Sequence, residues 1–127
     1  MGDELPKKGI LSIDVSFGSY NQFVSSIIRR AESRVSSYVC VANVHMVLEA
    51  HHSPEFKEVV NGAYLVTPDG MPIAKAFKPL HKIRQERVDG MSLLPALLRE
   101  SERKAVSVYF YGGTQGMLDK TGDFVYK

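Results

Sequence analysis

A chain of 127 residues has room for one domain with a substantial core, and this excludes a two-lobed architecture. Its 44% hydrophobic and 24% charged residues are ordinary for a globular protein, and a net charge of +2 with cations scattered along the chain is too small to argue for nucleic acid, so no nucleic-acid partner is expected and anionic small molecules remain open. No apolar run is long enough to cross a bilayer, the segment MGDELPKK lacks the apolar core of a signal peptide, and the lone Cys40 cannot form an intrachain disulfide, so a cytoplasmic location is expected.

Taken in order, Ile10 to Val15 reads as a short strand with Ile13 and Val15 on one face, and Phe17-Gly18 turns the chain into a helix. Ser19 and Gln22 match a capping box, and Phe23, Val24, Ile27, Ile28 and Ala31 fall at helical spacing. Arg29, Arg30 and Arg34 lie towards the helix end, where cations suit its dipole and read as a solvated face. Tyr38 to Val41 is continuous and apolar, as expected of a central parallel strand buried on both faces, with Cys40 an inert buried thiol. Asn43 follows at the carboxyl end as an N-cap, and Val44 to Ala50 supplies the helix, with His45 in its first turn. His51-His52 diverge at the helix end and have no third ligand at useful spacing, so no metal site is expected.

Ser53-Pro54-Glu55 starts a further helix with Phe56, Val59 and Val60 facing inward. Asn61-Gly62 turns into the apolar run Ala63 to Val66, which Thr67-Pro68-Asp69-Gly70 breaks. Asp69 is therefore expected on the loop leaving a strand's carboxyl end, where open α/β sheets bind ligands. Met71 to Phe77 reads as a helix with Pro72 tolerated in its first turn, its free N–H groups pointing towards the site. His81, Lys82, Arg84 and Arg87 then occupy a polar segment ending in Asp89-Gly90, read either as a mobile loop that folds back over an anion or as a solvated basic surface.

Ser92 reads as the cap of a helix whose stripe is Leu93, Leu94, Leu97 and Leu98. Ala105 to Tyr111, AVSVYFY, is the strongest strand pattern in the chain. It empties into Gly112-Gly113-Thr114-Gln115-Gly116, a turn that permits close approach of a phosphate to backbone N–H groups. Met117 to Lys120 begins a helix, and Thr121 to Lys127 does not continue its amphipathic pattern. These elements predict one α/β, Rossmann-like domain with helices on both faces of a mainly parallel sheet, its strands near residues 10–15, 38–42, 63–67 and 105–111.

Four motifs in order carry a family resemblance: Ala42-Asn43-Val44-His45-Met46, Thr67-Pro68-Asp69-Gly70-Met71, Glu86-Arg87-Val88-Asp89-Gly90 and Tyr111-Gly112-Gly113-Thr114. Together, over roughly residues 10 to 118, the chain resembles the WecG/TagA/CpsF family of bacterial glycosyltransferases. The resemblance implies transfer of an N-acetylmannosamine-type or related sugar from a UDP-sugar donor to a polyprenyl-diphosphate-linked sugar acceptor, in the synthesis of cell-surface polysaccharide or teichoic-acid linkages. Family members extend further, so the chain is expected to be a C-terminally truncated domain whose 119–127 tail departs from the pattern. An uncovered sheet edge or helix face would then favour self-association, and the acceptor would bring the protein into peripheral contact with the inner face of the plasma membrane.

In this reading Asp69 is the general base for the acceptor hydroxyl and Arg87 balances the diphosphate charge. Asn43, His45, Thr67, Gly70, Gly112, Gly113 and Thr114 line the substrate site. No Asp-x-Asp pair occurs, and neither a metal nor an organic cofactor is expected. One departure from the family pattern is Val41, two positions before Asn43, where relatives place a hydroxyl residue. The competing reading is an inactive nucleotide-sugar binding module, since this type of fold alone does not select chemistry.

Overall fold

The computed structural model describes residues 4–125. Strand β1 (Lys7–Ile10) turns back through Leu11, which stands at a φ of 54°, and pairs antiparallel with β2 (Ile13–Ser16) in the register Ile10 opposite Ile13. Strand β3 (Val39–Ala42) pairs parallel with β4 (Leu65–Pro68), Val41 opposite Thr67. The two pairs meet at a side-chain seam. The Val66 N–H of β4 donates to the buried hydroxyl of Ser16 at 2.9 Å, in place of a backbone ladder.

Helices α1 (Tyr20–Glu32), α2 (Val44–His52), α3 (Pro54–Asn61), α4 (Met71–His81), α5 (Gly90–Arg103) and α6 (Gln115–Val125) fill the rest. Alternation along β4 separates two cores, as the period of a strand requires. Val66 packs with Ile13, Val15, Val47, Val60, Ile73 and Phe77 beneath α2, α3 and α4. Leu65 packs with Phe23, Val24, Val88 and Leu93 beneath α1 and α5. Helices thus cover both faces.

Short-range chemistry sets the helix starts. Ser19 and Gln22 form the reciprocal capping box of α1, Asn43 accepts from Met46 N–H at the start of α2, and Ser53 accepts from Phe56 N–H ahead of Pro54 in α3. Helix α5 departs from the sequence expectation. Its N-cap is Asp89, whose carboxylate accepts from the Ser92 N–H and hydroxyl, so Ser92 is the capped residue and not the cap.

Other expectations fail for reasons of partnership. The stretch 10–15 is a hairpin because Leu11 turns outward, 78% exposed, inside an otherwise strand-like alternation. The resulting α/β fold has one antiparallel and one parallel pair, where a mainly parallel sheet was expected. Strand β3 is only half-buried from Val39 to Val41, since β4 is its one paired neighbour among the described residues. Segment 105–111 forms no described strand pairing. Ala105, at a φ of 54°, turns the chain out of α5, and Tyr109 and Tyr111 then stand 87% and 94% exposed. Strand propensity expresses packing on neighbours, and no described strand pairs with this segment. Ala31, Val59 and Leu94, expected inward, are exposed.

Candidate active site at the carboxyl ends of β3 and β4

The ends of the parallel pair are knitted together by main-chain bonds. Asp69 N–H and Gly70 N–H both donate to Ala42 O, at 3.0 and 3.3 Å. This brings the loop after β4 against the start of α2, and a Cβ on Gly70 would lie 3.7 Å from the Asn43 Cα. Helix α4 follows Gly70 with no side-chain cap; Pro72 has no N–H and the Ile73 and Ala74 N–H groups donate to Gly70 O at 3.1 and 3.0 Å, so Met71 supplies the one first-turn N–H without a described partner. The Asn43 amide oxygen, by contrast, is occupied by Met46 N–H at 2.9 Å.

Residues 82–89, between α4 and α5, bring the cation. Val88 is fully buried and donates its N–H to Pro68 O at 2.9 Å. Burying such a side chain contributes about 1.5–3 kcal/mol, enough to hold a short segment in place. Arg87 consequently lies on the Asp69 loop. Its Nε donates to the Asp69 main-chain carbonyl, and its Nη2 stands 3.7 Å from Asp69 Oδ1. The Arg87 side chain is 49% exposed and that of Asp69 23%. The segment expected to be a mobile loop is therefore already anchored against β4. Gln85, which sequence reasoning passed over, adds a second anchor by bonding both peptide groups of Gly18.

Of the other residues read as part of the basic stretch, His81, at the end of α4, turns away: its Nε2 lies 2.6 Å from Gly9 O on the β1–β2 hairpin. Lys82 and Arg84 are exposed. His45 is exposed on α2, where its Nε2 lies 3.6 Å from Glu49 Oε1. Thr67 is fully buried, and its Oγ1 has no hydrogen-bond partner among the described residues. The adjacent Val41 packs towards Gly90, whose Cβ position lies 3.7 Å from Val41 Cγ1. Gly112, Gly113 and Thr114 sit on an exposed turn where Thr114 Oγ1 accepts from Met117 N–H at 3.2 Å. Gly112 and Gly113 take positive φ values of 113° and 73°, as an exposed glycine turn permits. No described hydrogen bond or ion pair links this turn to Asp69 or Arg87.

Burial pushes the Cys40 thiol up, with Lys7 opposing weakly, so the half-buried thiol is held in its neutral, unreactive form. The carboxyl of Asp89 is held below its usual range, first by the Ser92 hydroxyl and then by backbone bonds. Among the described residues no three His, Cys, Asp or Glu side chains cluster closely enough to hold an ion. His51 instead meets the Ser12 hydroxyl at 2.9 Å. No described helix is long and apolar enough to cross a membrane.

A carboxylate, a guanidinium and the start of α4 are gathered where two parallel strands end, the position at which open α/β sheets bind ligands. The comparison with known sequences makes this specific: residues 9–125 match the Glycosyl transferase WecG/TagA/CpsF family, and the chain belongs to it. The match continues through Val125, past Leu118 where the motif reading ended. The chain is also similar to the N-acetylglucosaminyldiphosphoundecaprenol N-acetyl-beta-D-mannosaminyltransferase of Bacillus spizizenii, at 26% identity over 115 residues. That alignment takes in 90% of this chain and 45% of the relative, so the chain spans a little under half of the relative's length.

Proposed function

We propose that this chain handles the donor in an inverting glycosyltransferase, which moves an N-acetylmannosamine-type sugar from a UDP-sugar to a polyprenyl-diphosphate-linked sugar in cell-surface polysaccharide or teichoic-acid synthesis. Family membership and the relative's name support the reaction class. The observation that carries the assignment of residues is the contact between Arg87 and Asp69 at the ends of β3 and β4. In a Rossmann-like arrangement, the donor diphosphate lies against Arg87 and the Met71 N–H at the start of α4. Asn43, His45, Thr67 and Gly70 border the donor, and Gly112, Gly113 and Thr114 reach it from the turn after residue 111.

Asp69 takes the proton from the acceptor hydroxyl as that oxygen attacks the anomeric carbon. The bond from that carbon to the diphosphate oxygen breaks on the opposite face, UDP departs with the bonding pair, and the anomeric centre inverts. Arg87 stabilises the charge that grows on the leaving diphosphate, a role that elsewhere falls to a divalent ion. The acceptor lipid places the reaction at the inner face of the plasma membrane, reached by peripheral contact.

The test is UDP release and sugar transfer measured side by side, with a lipid-linked N-acetylglucosamine acceptor and UDP-N-acetylmannosamine. Acceptor-dependent transfer that survives chelator supports the reading. Donor binding without transfer would make the chain a binding module, and neither binding nor transfer would remove the proposal.

A further inference from the structure

The segment that carries Arg87 is fixed at a second point by one side chain. The Gly18 N–H donates to Gln85 Oε1 at 2.9 Å, and Gln85 Nε2 donates to Gly18 O and to Glu86 O, each at 3.0 Å. A single amide thus satisfies both peptide groups of Gly18, as a neighbouring strand would, and joins positions 67 residues apart. Gly18 stands at a φ of 154°, a conformation that glycine adopts without strain, and a Cβ there would come within 2.8 Å of Gln22 Oε1, which accepts from the Ser19 N–H in the α1 capping box.

Arg87 lies between this clamp and the Val88 N–H to Pro68 O bond. With the main chain held on both sides, a guanidinium on a long flexible stem loses little further freedom when it meets an anion. We infer that Gln85 is a positioning residue for Arg87: by pairing with Gly18 it fixes the backbone that presents the guanidinium to a nucleoside diphosphate. The inference rests on the reading of Arg87 as a diphosphate ligand, and it assigns Gln85 no contact with substrate.

Two measurements on the whole chain test it. Calorimetric titration with UDP compares the unaltered protein, Gln85→Leu, Arg87→Ala and the double variant. Gln85→Leu should weaken UDP binding roughly tenfold when Arg87 is present and leave it unchanged when position 87 is alanine, the signature of coupled residues. Equal losses in both backgrounds would reveal a general effect on the fold and overturn the inference, as would no loss in either.

The second measurement follows solvent exchange of the Arg87 Nε proton by NMR. Because this proton is bonded to Asp69 O, loosening the segment in Gln85→Leu should speed its exchange by about tenfold or more, and unchanged exchange overturns the inference. If Arg87→Ala binds UDP as tightly as the unaltered protein, it is the diphosphate reading that fails, and exchange alone then decides the positioning role. Gln85→Glu keeps the acceptor for Gly18 N–H and loses both donors, so it should fall between the two and serves if Gln85→Leu does not fold.

Discussion

Arg87 is held by Asp69 at two different atoms: its Nε donates to the Asp69 main-chain carbonyl, and its Nη2 stands 3.7 Å from the carboxylate. Replacing the carboxylate leaves the main-chain bond, so the two residues can be separated by mutation. Asp69→Asn should lower transfer by roughly 10²-fold or more, as expected for loss of a general base, with UDP affinity little changed. Arg87→Ala should weaken UDP binding about tenfold or more as well as slow transfer, since a hydrogen bond to a charged group is worth about 1.5–3 kcal/mol. Calorimetry and initial rates on the two variants check this. Equal losses in both, or none, would sink the division of roles.

What was legible in the sequence depends on neighbours a few residues apart. The caps at Ser19, Asn43 and Ser53, the placement of Pro54 and Pro72, and the position of Asp69 just past a strand all follow from such local rules. The Asp89 cap is equally local, since its carboxylate accepts from the N–H three residues on, but it stands three residues before Ser92, the residue adjacent to the leucine stripe that the sequence reading took as the cap. Features that depend on distant partners were not legible. Gln85 reads as one more polar residue among cations until Gly18 is seen opposite it. Ser16 lies one residue past the strand read from the sequence, and in the fold its hydroxyl joins two strand pairs. Segment 105–111 has every local mark of a strand and lacks the neighbour that would make it one.

Ser16→Ala should destabilise the fold by about 1–3 kcal/mol. The buried Val66 N–H loses its acceptor at a seam that has no backbone ladder to replace it. Denaturant melts monitored by circular dichroism would show a lower midpoint with an unchanged slope. A midpoint equal to that of the unaltered protein would mean that the two strand pairs do not depend on this bond.

Thr67→Val should do the opposite. The buried Oγ1 has no described partner, and an unmet polar atom costs about 1–3 kcal/mol, so an apolar group of the same shape should raise the melting temperature. If Thr67 contacts the donor, the same variant loses UDP-sugar affinity while gaining stability. A thermal scan and a titration on one sample read both effects, and a destabilised variant would show that the hydroxyl is satisfied after all.

The exposed aromatic stretch predicts concentration-dependent association. Val108, Tyr109 and Tyr111 are 48%, 87% and 94% exposed on a segment without charge, a combination that favours contact with another apolar surface. Sedimentation velocity should show the unaltered chain associating as concentration rises, and the double variant Tyr109→Lys, Tyr111→Lys shifted towards monomer. A monomer at all concentrations in the unaltered chain would refute this.

The N-cap of α5 gives a pH dependence whose sign can be worked out. The Ser92 hydroxyl and backbone N–H bonds hold the Asp89 carboxyl below its ordinary value, so the folded state favours the ionised form. A carboxyl with a depressed folded pKa stabilises the protein at pH above its unfolded value. That contribution fades as the pH falls through the folded value. At about pH 7, Asp89→Ala should therefore melt below the unaltered protein, and the gap should narrow on acidification below about pH 4, where the unfolded carboxylate begins to protonate. Asp89→Asn keeps an acceptor for the Ser92 N–H without a titrating charge, so it should remain close to the unaltered protein at neutral pH and show a shallower fall in acid. Ser92→Ala removes the largest cause of the depression and should move the acid-induced loss of stability to higher pH. Because Gly90 follows the cap and packs beside Val41, and Val88 precedes it under Pro68, loosening this helix start should also reach Arg87. Faster exchange of the Arg87 Nε proton in Asp89→Ala, with the helix otherwise intact, would record that connection, and unchanged exchange would confine the cap to stability.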